Sequence, residues 1–269
     1  GELYEVGKGK RTLESWIAEH GHRAAGEFDL AAPRWREQPH VVKEMAARLA
    51  AGDDPLERHR KHGEATAARV AALRERLPTV ERSRLDHLLD VVRRYMAFRE
   101  DGKDFLMRGY AFLREIALEA GRRLEGGEDV FFLSREDLFD ALRVGFAPYH
   151  MIERRKAAYR AEARVRLPRV IDAAAIERLG EPEAALAPVA GGHKAFALSS
   201  GEATGPVRIF HSPTDAGDIG KGYILVCPST DPSWTPLFVN AAGLVLECGG
   251  SLSHGAVVAR EMGLPAVVL

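Results

Sequence analysis

The residue best suited to catalysis is a histidine that follows a pair of glycines near the end of the chain. Gly249 and Gly250 precede Ser253 and His254, and an apolar run suited to a short helix comes next. Glycine allows positive φ and lets the backbone approach a ligand closely. Ser253 is a favourable N-cap residue, so the sequence predicts His254 in the first turn of that helix.

A helix start suits both a phosphate group and a nucleophilic imidazole. Its unpaired amides and partial positive charge attract phosphate. The same charge disfavours protonation, so a nitrogen of His254 stays free near neutral pH. Such a histidine could attack a phosphoryl group and then hold it. Arg260 lies in the same predicted helix, where it could contact the phosphate. The plainer alternative is a loop histidine that only hydrogen-bonds near a helix start.

The elements around this histidine alternate between strands and short helices. The predicted strands, rich in Val, Ile and Leu, are 195–198, 207–210, 224–227, 244–247 and 266–269. The predicted helices between them are 213–219, 235–241 and 254–262. Strands that alternate with helices indicate a partly parallel sheet.

The first half of the chain has helical spacing instead, and is rich in Ala, Arg, Glu and Leu. The predicted helices are 41–51, 56–77, 80–99, 105–124 and 148–167. Ser134 and Asp137 have the spacing of a capping box. The basic run in the last of these helices is typical of a solvated face, with a domain-docking surface as the alternative.

These patterns predict an α+β protein with two domains. Residues 1–167 form an all-α helical domain, 168–194 a linker and 195–269 the smaller domain. The chain starts without Met and stops at Leu269, inside a predicted strand. We therefore expect it to be a piece of a longer protein, with its last domain truncated.

Composition excludes some functions. The 38 Lys and Arg balance 39 Asp and Glu, so a nucleic-acid partner, which would need a basic excess, is not expected. No apolar run is long enough to span a membrane and no signal peptide opens the chain, so we expect a cytoplasmic protein without a membrane partner. Cys227 and Cys248 fit small buried side chains in a reducing compartment, with a disulfide or a regulatory thiol as alternatives.

The histidine segment resembles a known family. Its Gly-Gly, Ser-His, Ala-x-x-Ala-Arg-Glu and Gly-Leu-Pro-Ala-Val elements, within 249–268, are similar to the swivelling phosphohistidine domain of phosphoenolpyruvate-utilising enzymes. That family includes phosphoenolpyruvate synthase, pyruvate phosphate dikinase and rifampicin phosphotransferase. Residues 222–238 and 200–207 also resemble it, so the likeness covers about 195–269. It implies a small β/β/α domain.

The first half carries a second resemblance. Residues 21–30 and 33–37 are similar to the helical region that precedes the histidine domain in rifampicin phosphotransferase and synthase-like proteins. The possible acceptor-side residues there are His22, Arg23, Glu27 and Asp29. His20, His22, Glu27 and Asp29 could suggest a metal cluster, but we predict no metal site. The alternative to acceptor binding is a structural network of charges and hydrogen bonds with Arg23 and Arg34.

The resemblance implies an enzyme with three functional parts: an ATP-binding domain, the small histidine domain and an acceptor site. An ATP-grasp domain, which this chain lacks, binds ATP and Mg²⁺ and phosphorylates His254. The small domain then swings on its linker to an acceptor, either pyruvate or a small-molecule hydroxyl. Gly249, Gly250, Ser253 and Arg260 are the expected phosphate-binding residues. The chain also has no GxxxxGK[ST] motif and no room for a pyruvate-binding barrel.

Three hypotheses follow from this resemblance. The chain is part of a dikinase-type phosphotransferase, or a separate subunit as in phenylphosphate-synthase-like systems, or a non-catalytic phosphocarrier or binding module. The helical half is expected to supply an apolar wall for the acceptor, with plain core packing as the alternative. The residues behind that expectation are Tyr95, Met96, Phe98, Phe105, Met107, Tyr110 and Phe112.

Overall fold

A computed structural model describes residues 1–165, 194–213 and 219–269 of this protein. Helices fill the first part and a small mixed sheet with short helices fills the last, which confirms the α+β prediction. Contacts divide the chain into two compact units. The first contains residues 1–27, 32–108 and 194–269, and the second contains 28–31 and 109–193. Residues 168–193 of the expected linker lie outside the described residues.

The chain opens with two short helices that were not predicted, α1 (Glu2–Gly7) and α2 (Leu13–His20), followed by α3 (Pro39–Ala51). Thr12 caps α2, because its hydroxyl accepts a hydrogen bond from the amide of Ser15. These helices share an apolar core. Its buried residues are Trp16, Trp35, Val42 and Met45.

Two long helices follow, α4 (Pro55–Arg76) and α5 (Thr79–Arg123). The carboxylate of Asp54 caps α4 by accepting from the first amides of the helix. The prediction of two helices over 80–99 and 105–124 was wrong, since α5 is continuous over 45 residues. The intervening residues contain Gly102 but no proline, and one helical glycine costs only about 1 kcal/mol.

The second unit contains α6 (Arg135–Val144), α7 (Tyr149–Glu162) and a 3₁₀ turn at Gly127–Phe132. The predicted capping box at the start of α6 is confirmed, because Ser134 and Asp137 each bond the other's backbone amide. The buried residues of this unit's core are Leu124, Val130, Ala141, Ala147 and Ile152.

The C-terminal part, here called the sheet region (residues 194–213 and 219–269), contains a five-stranded sheet. Its strands are β1 (Phe196–Ser199), β2 (Val207–Ile209), β3 (Tyr223–Cys227), β4 (Ala241–Leu246) and β5 (Ala266–Val268). The spatial order is β1-β5-β4-β3-β2. Strands β2 to β5 pair in parallel, while β1 pairs antiparallel with β5, as expected for a partly parallel sheet.

Two helices connect the parallel strands, α8 (Thr235–Asn240) before β4 and α9 (His254–Glu261) between β4 and β5. Both agree with the predicted helices to within two residues. Most of the helix predicted at 213–219 lies outside the described residues. The core of this region joins Leu225 and Leu244 of the sheet to Phe238 of α8 and Ala256 of α9.

The aromatic and Met residues of α5 are not a plain core. Tyr95, Phe98, Phe105 and Phe112 are 61–70% exposed, whereas Met107 is buried. Met96 and Tyr110 are half-buried. The exposed members of this set therefore leave apolar surface on α5 that the described residues do not cover. Within the described ranges, no helix is long and apolar enough to cross a membrane.

Candidate functional site

His254 is the first residue of α9, as the sequence predicted. The chain leaves β4 at Leu246, turns through the two glycines and enters the helix with Ser253 as N-cap. The hydroxyl of Ser253 accepts from the amide of Ala256 at 3.4 Å. Gly249 has φ +156°, and a Cβ there would lie 3.1 Å from Oγ of Ser253. Only glycine therefore lets the turn lie so close to the cap. Gly250 has open space beside its Cα.

The imidazole of His254 is held neutral. Burial lowers its pKa to about 4, with the positive charge of Lys103 as the next cause. The Nε2 atom is buried, and among the described residues it has no hydrogen-bond partner. A buried polar atom without a partner costs free energy unless a ligand or water meets it. Nε2 is therefore open to a hydrogen-bonding or bonding partner beyond the described residues.

Four charged side chains influence this imidazole. Lys103 and Arg23 lower its pKa, while Asp231 and Glu100 raise it. The ring is therefore within electrostatic range of two cations and two carboxylates. Such an arrangement can stabilise an anion on the histidine and also offers a base for a proton.

A hydrogen-bonded network holds the two cations. Glu27, which is 3% exposed, accepts from Arg23 at 2.5 and 3.0 Å and pairs with Lys103 at 2.6 Å. Burial raises the pKa of Glu27, but the bonds from these cations outweigh it and hold the pKa below its ordinary value. Asp104 bonds Nε2 of His22 at 2.8 Å and lies 3.7 Å from Arg23. The network therefore holds in place both cations that lower the pKa of His254.

Three of the four predicted acceptor-side residues meet in this network, namely His22, Arg23 and Glu27. Burial is the main cause that lowers the pKa of His22. Asp29 belongs to the second unit, where its carboxylate accepts from the amide of Ala31. Arg34 donates to the carbonyl of Glu27 at 2.8 Å, so the expected hydrogen bonds with Arg23 and Arg34 are present.

His20 lies in a different cluster. Its ring and the carboxylates of Glu2 and Glu19 bring three donor atoms within 4.8 Å of one another. Arg11 also pairs with both carboxylates, at 2.7 and 2.6 Å. The guanidinium offsets part of the negative charge of the two carboxylates.

Arg260 contacts the backbone. Its guanidinium donates to the carbonyl of Leu198 at 3.0 Å and also to the carbonyl of Ser251. Through these bonds Arg260 ties the turn before His254 to strand β1. Two of its nitrogens are thus occupied by the protein, at a position where we had expected it to face a phosphate.

The sequence analysis missed Thr230. Its Oγ1 is buried and without a partner in the described part of the chain. A Cβ on Gly255 would lie 2.5 Å from that oxygen, so Thr230 contacts the helix start next to His254. Asp231, the following residue, caps a short turn through the amide of Ser233 at 2.8 Å. The 222–238 block contains both residues, but it was used only for its likeness to a family.

Comparison with known families agrees with this geometry. The model described as "PEP-utilising enzyme, mobile domain" matches residues 219–269, which include the glycine turn and His254. This part of the chain is therefore similar to the mobile domain of PEP-utilising enzymes. A second model, "Rifampicin phosphotransferase fourth domain", matches residues 2–100, which include Arg23 and Glu27 in the loop after α2.

Curated relatives cover almost the whole chain. The rifampicin phosphotransferase of Bacillus subtilis (strain 168) is 34% identical over 284 residues, which is 99% of this chain and 33% of that protein. The rifampicin phosphotransferase of Streptomyces sviceus is also 34% identical, over 95% of this chain and 31% of its own. A protein of Serratia marcescens named "Prodigiosin synthesizing transferase PigC" is 30% identical over 95% of this chain and 30% of its own. The chain thus spans about a third of the length of these relatives.

Proposed function

We propose that this chain is part of an ATP-dependent phosphotransferase in which His254 carries the phosphoryl group. The observation that supports this most is the buried, unpartnered Nε2 of an imidazole whose pKa is about 4. It lies at a helix start, where phosphate binds well. The rifampicin phosphotransferases among the relatives support the same class of activity.

The first half-reaction is nucleophilic attack by His254. The neutral imidazole already has a lone pair, so no base is required at the attacking nitrogen. A P–N bond forms and the P–O bond to the leaving phosphate group breaks. ATP and Mg²⁺ supply the phosphoryl group and its charge neutralisation, and both would be bound mainly by an ATP-grasp domain outside this chain. The amides at the start of α9, ordered by Ser253, are available to the new phosphoryl oxygens.

The second half-reaction passes the group to an acceptor. The acceptor oxygen attacks phosphorus and the P–N bond breaks. The imidazole leaves as a neutral base because its other ring nitrogen carries a proton. Lys103 and Arg23 stabilise the charge that spreads over the phosphoryl oxygens. The acceptor hydroxyl must lose a proton. Asp231 and Glu100 are the carboxylates close enough to affect the pKa of His254, and we assign one of them as the base.

The acceptor is a small molecule with an apolar body and a hydroxyl group. The support is the row of exposed aromatic side chains on α5, Tyr95, Phe98 and Phe105, in the same helix as Lys103. Rifampicin is the acceptor that the names of several relatives suggest. The Serratia relative has a different name, so the shared segment does not by itself define the acceptor.

The test is labelling from ATP. This chain alone should take no label from radiolabelled ATP and Mg²⁺. With the cognate ATP-binding domain added, label should appear on His254 as an acid-labile, base-stable phosphoramidate. His254→Ala should abolish labelling and transfer, whereas His87→Ala, a change at an exposed position of α5, should leave both intact. Label on another residue, or full activity of His254→Ala, would refute the proposal.

A further inference from the structure

Arg48 is a cation of the first unit whose hydrogen-bond donors the protein leaves unused. It lies in the last turn of α3, and its side chain is half-buried. Among the residues that the structure describes, its guanidinium has no hydrogen-bond or ion-pair partner. The C-terminal end of a helix favours a positive charge, but the helix dipole satisfies none of the donors. Because burial makes an unmet donor costly, water or a ligand must meet them.

Arg48 lines a cavity of about 440 Å³ between α3 and the sheet region, here called the Arg48 cavity. Pockets that hold small molecules have volumes of about 300–1,000 Å³. Protein interiors are closely packed, and few voids in them are larger than a water molecule. Gly220, in the turn before β3, lines the cavity and is exposed, with open space at the position of a Cβ. A small molecule therefore has both space and a way in.

The rest of the wall is largely apolar. Its apolar side chains are Ala47, Ala51, Ile219, Pro236 and Leu237. Tyr223 and Asn240 also line the cavity, and the hydroxyl of Tyr223 already donates to the carbonyl of Leu237 at 2.6 Å. Among the described lining residues, Arg48 alone carries a charge. The cavity thus combines one cation with an apolar wall.

The charged groups near the cavity do not neutralise Arg48. The ammonium of Lys221 lies 3.1 Å from the carboxylate of Asp53, so these two residues pair with each other. Glu44, one turn before Arg48 on α3, lines a neighbouring cavity of about 330 Å³ that Arg48 also borders. Within the described ranges, no bond joins Glu44 to Arg48. An anion that enters the Arg48 cavity therefore meets an unpaired guanidinium.

We propose that the Arg48 cavity binds a small monocarboxylate with a compact apolar body. A carboxylate accepts two parallel hydrogen bonds from one guanidinium, which satisfies charge and donors together. A phosphate group carries more negative charge than a single arginine balances, so one cation in an apolar wall favours the carboxylate. The apolar side chains cover the rest of the ligand, whose removal from water adds to the affinity.

This site is separate from the surroundings of His254. Tyr223 begins β3 and Asn240 precedes β4, whereas His254 follows the other end of β4. Strand β4 has six residues, so at about 3.3 Å per residue its two ends lie about 17 Å apart. No described residue of α5 lines the Arg48 cavity, so its ligand is not the phosphoryl acceptor. The inference therefore does not depend on the proposed function of His254.

The test is an NMR titration of the chain with 4-methylpentanoate, and with 4-methylpentanamide as a neutral molecule of similar shape. Both should bind saturably, and the carboxylate about tenfold more tightly, because it alone pairs with Arg48. Arg48→Met should weaken the carboxylate by about tenfold and leave the amide within about twofold, which shows that the cavity is intact. Arg48→Lys should recover only part of the loss, since an ammonium lacks the planar pair of donors.

Three further variants locate the binding. Arg154→Met, at an exposed position of α7, is the matched control and should change neither affinity. Ala47→Phe, at an exposed position in the wall, should fill the cavity and abolish the binding of both molecules. Lys103→Met should bind both as the wild type does.

Four outcomes overturn the proposal. The first is a carboxylate that does not bind saturably, and the second is a carboxylate that binds no more tightly than the amide. The third is undiminished carboxylate binding by Arg48→Met. The fourth is a loss of carboxylate binding in Lys103→Met, because the anion then binds in the surroundings of His254 instead.

Discussion

Replacing Lys103 by Met tests whether the surroundings of His254 keep it neutral. The pKa of this imidazole is lowered from 6.5 to about 4, first by burial and then by the charge of Lys103. At about 1.4 kcal/mol for each tenfold change, that difference corresponds to about 3 kcal/mol in favour of the neutral form. Lys103→Met keeps the length of the side chain and removes the charge, so the pKa of His254 should rise. It should stay below 6.5, because burial is the larger cause.

The assay is a titration of the imidazole Cε1–H signals by NMR. The protein has ten histidines, so the signal of His254 is assigned as the one missing from the spectrum of His254→Asn. Lys10→Met, at an exposed position near the start of the chain, is the matched control and should leave the midpoint unchanged. A wild-type midpoint near 6.5, or a midpoint that falls in Lys103→Met, would refute the reasoning.

Three further predictions concern the same region. His254 takes up a proton near pH 6.5 in the unfolded chain but only near pH 4 in the folded protein. The free energy of unfolding should therefore fall as the pH drops from 6.5 to about 4, and it should level off below pH 4. Urea denaturation at several pH values should show this slope, and His254→Gln should lack its share of it. Gly255→Ala should destabilise the protein by about 1–3 kcal/mol, because its Cβ would lie 2.5 Å from Oγ1 of Thr230; adding Thr230→Ala should restore the melting temperature. Arg260→Ala should slow both half-reactions, because it releases the turn at Ser251. Hydrogen exchange of the amides in this turn should become faster, and an unchanged exchange rate would indicate that Arg260 acts only on phosphate.

The sequence predicted the surroundings of His254 well because local signals determine them. The strand before the turn, the glycines and the Ser253 cap are short-range features, and the structure places them as expected. The alternation of strands and helices was also sufficient to predict a partly parallel sheet. These features depend on periodicity and on capping, which a single sequence displays directly.

The partners of His254 could not be found in the same way. Lys103 lies in a charged stretch that we interpreted as a break between two helices, whereas it is within the continuous α5. Arg23 and Glu27 were selected for their likeness to a family, and nothing in their spacing relates them to a histidine far along the chain. Such pairings follow from tertiary packing, on which helical periodicity carries no information.

Arg260 has backbone partners that its residue type and position do not reveal. A cation in the helix that begins at His254 is a reasonable phosphate ligand, and in the structure its guanidinium also donates to the carbonyls of Leu198 and Ser251. Arginine offers five donors, and backbone carbonyls left open by the turn compete with phosphate for them. The sequence contains no signal that a carbonyl of a distant strand would be among its partners.

The burial that makes His254 nucleophilic also limits how it can be used. A phosphoryl group adds a charge of about −1.5 to −2 at neutral pH, which Lys103 and Arg23 attract. If His254 carries a phosphoryl group as proposed, phosphorylation should therefore raise the melting temperature of the chain, and Lys103→Met should lose part of that increase.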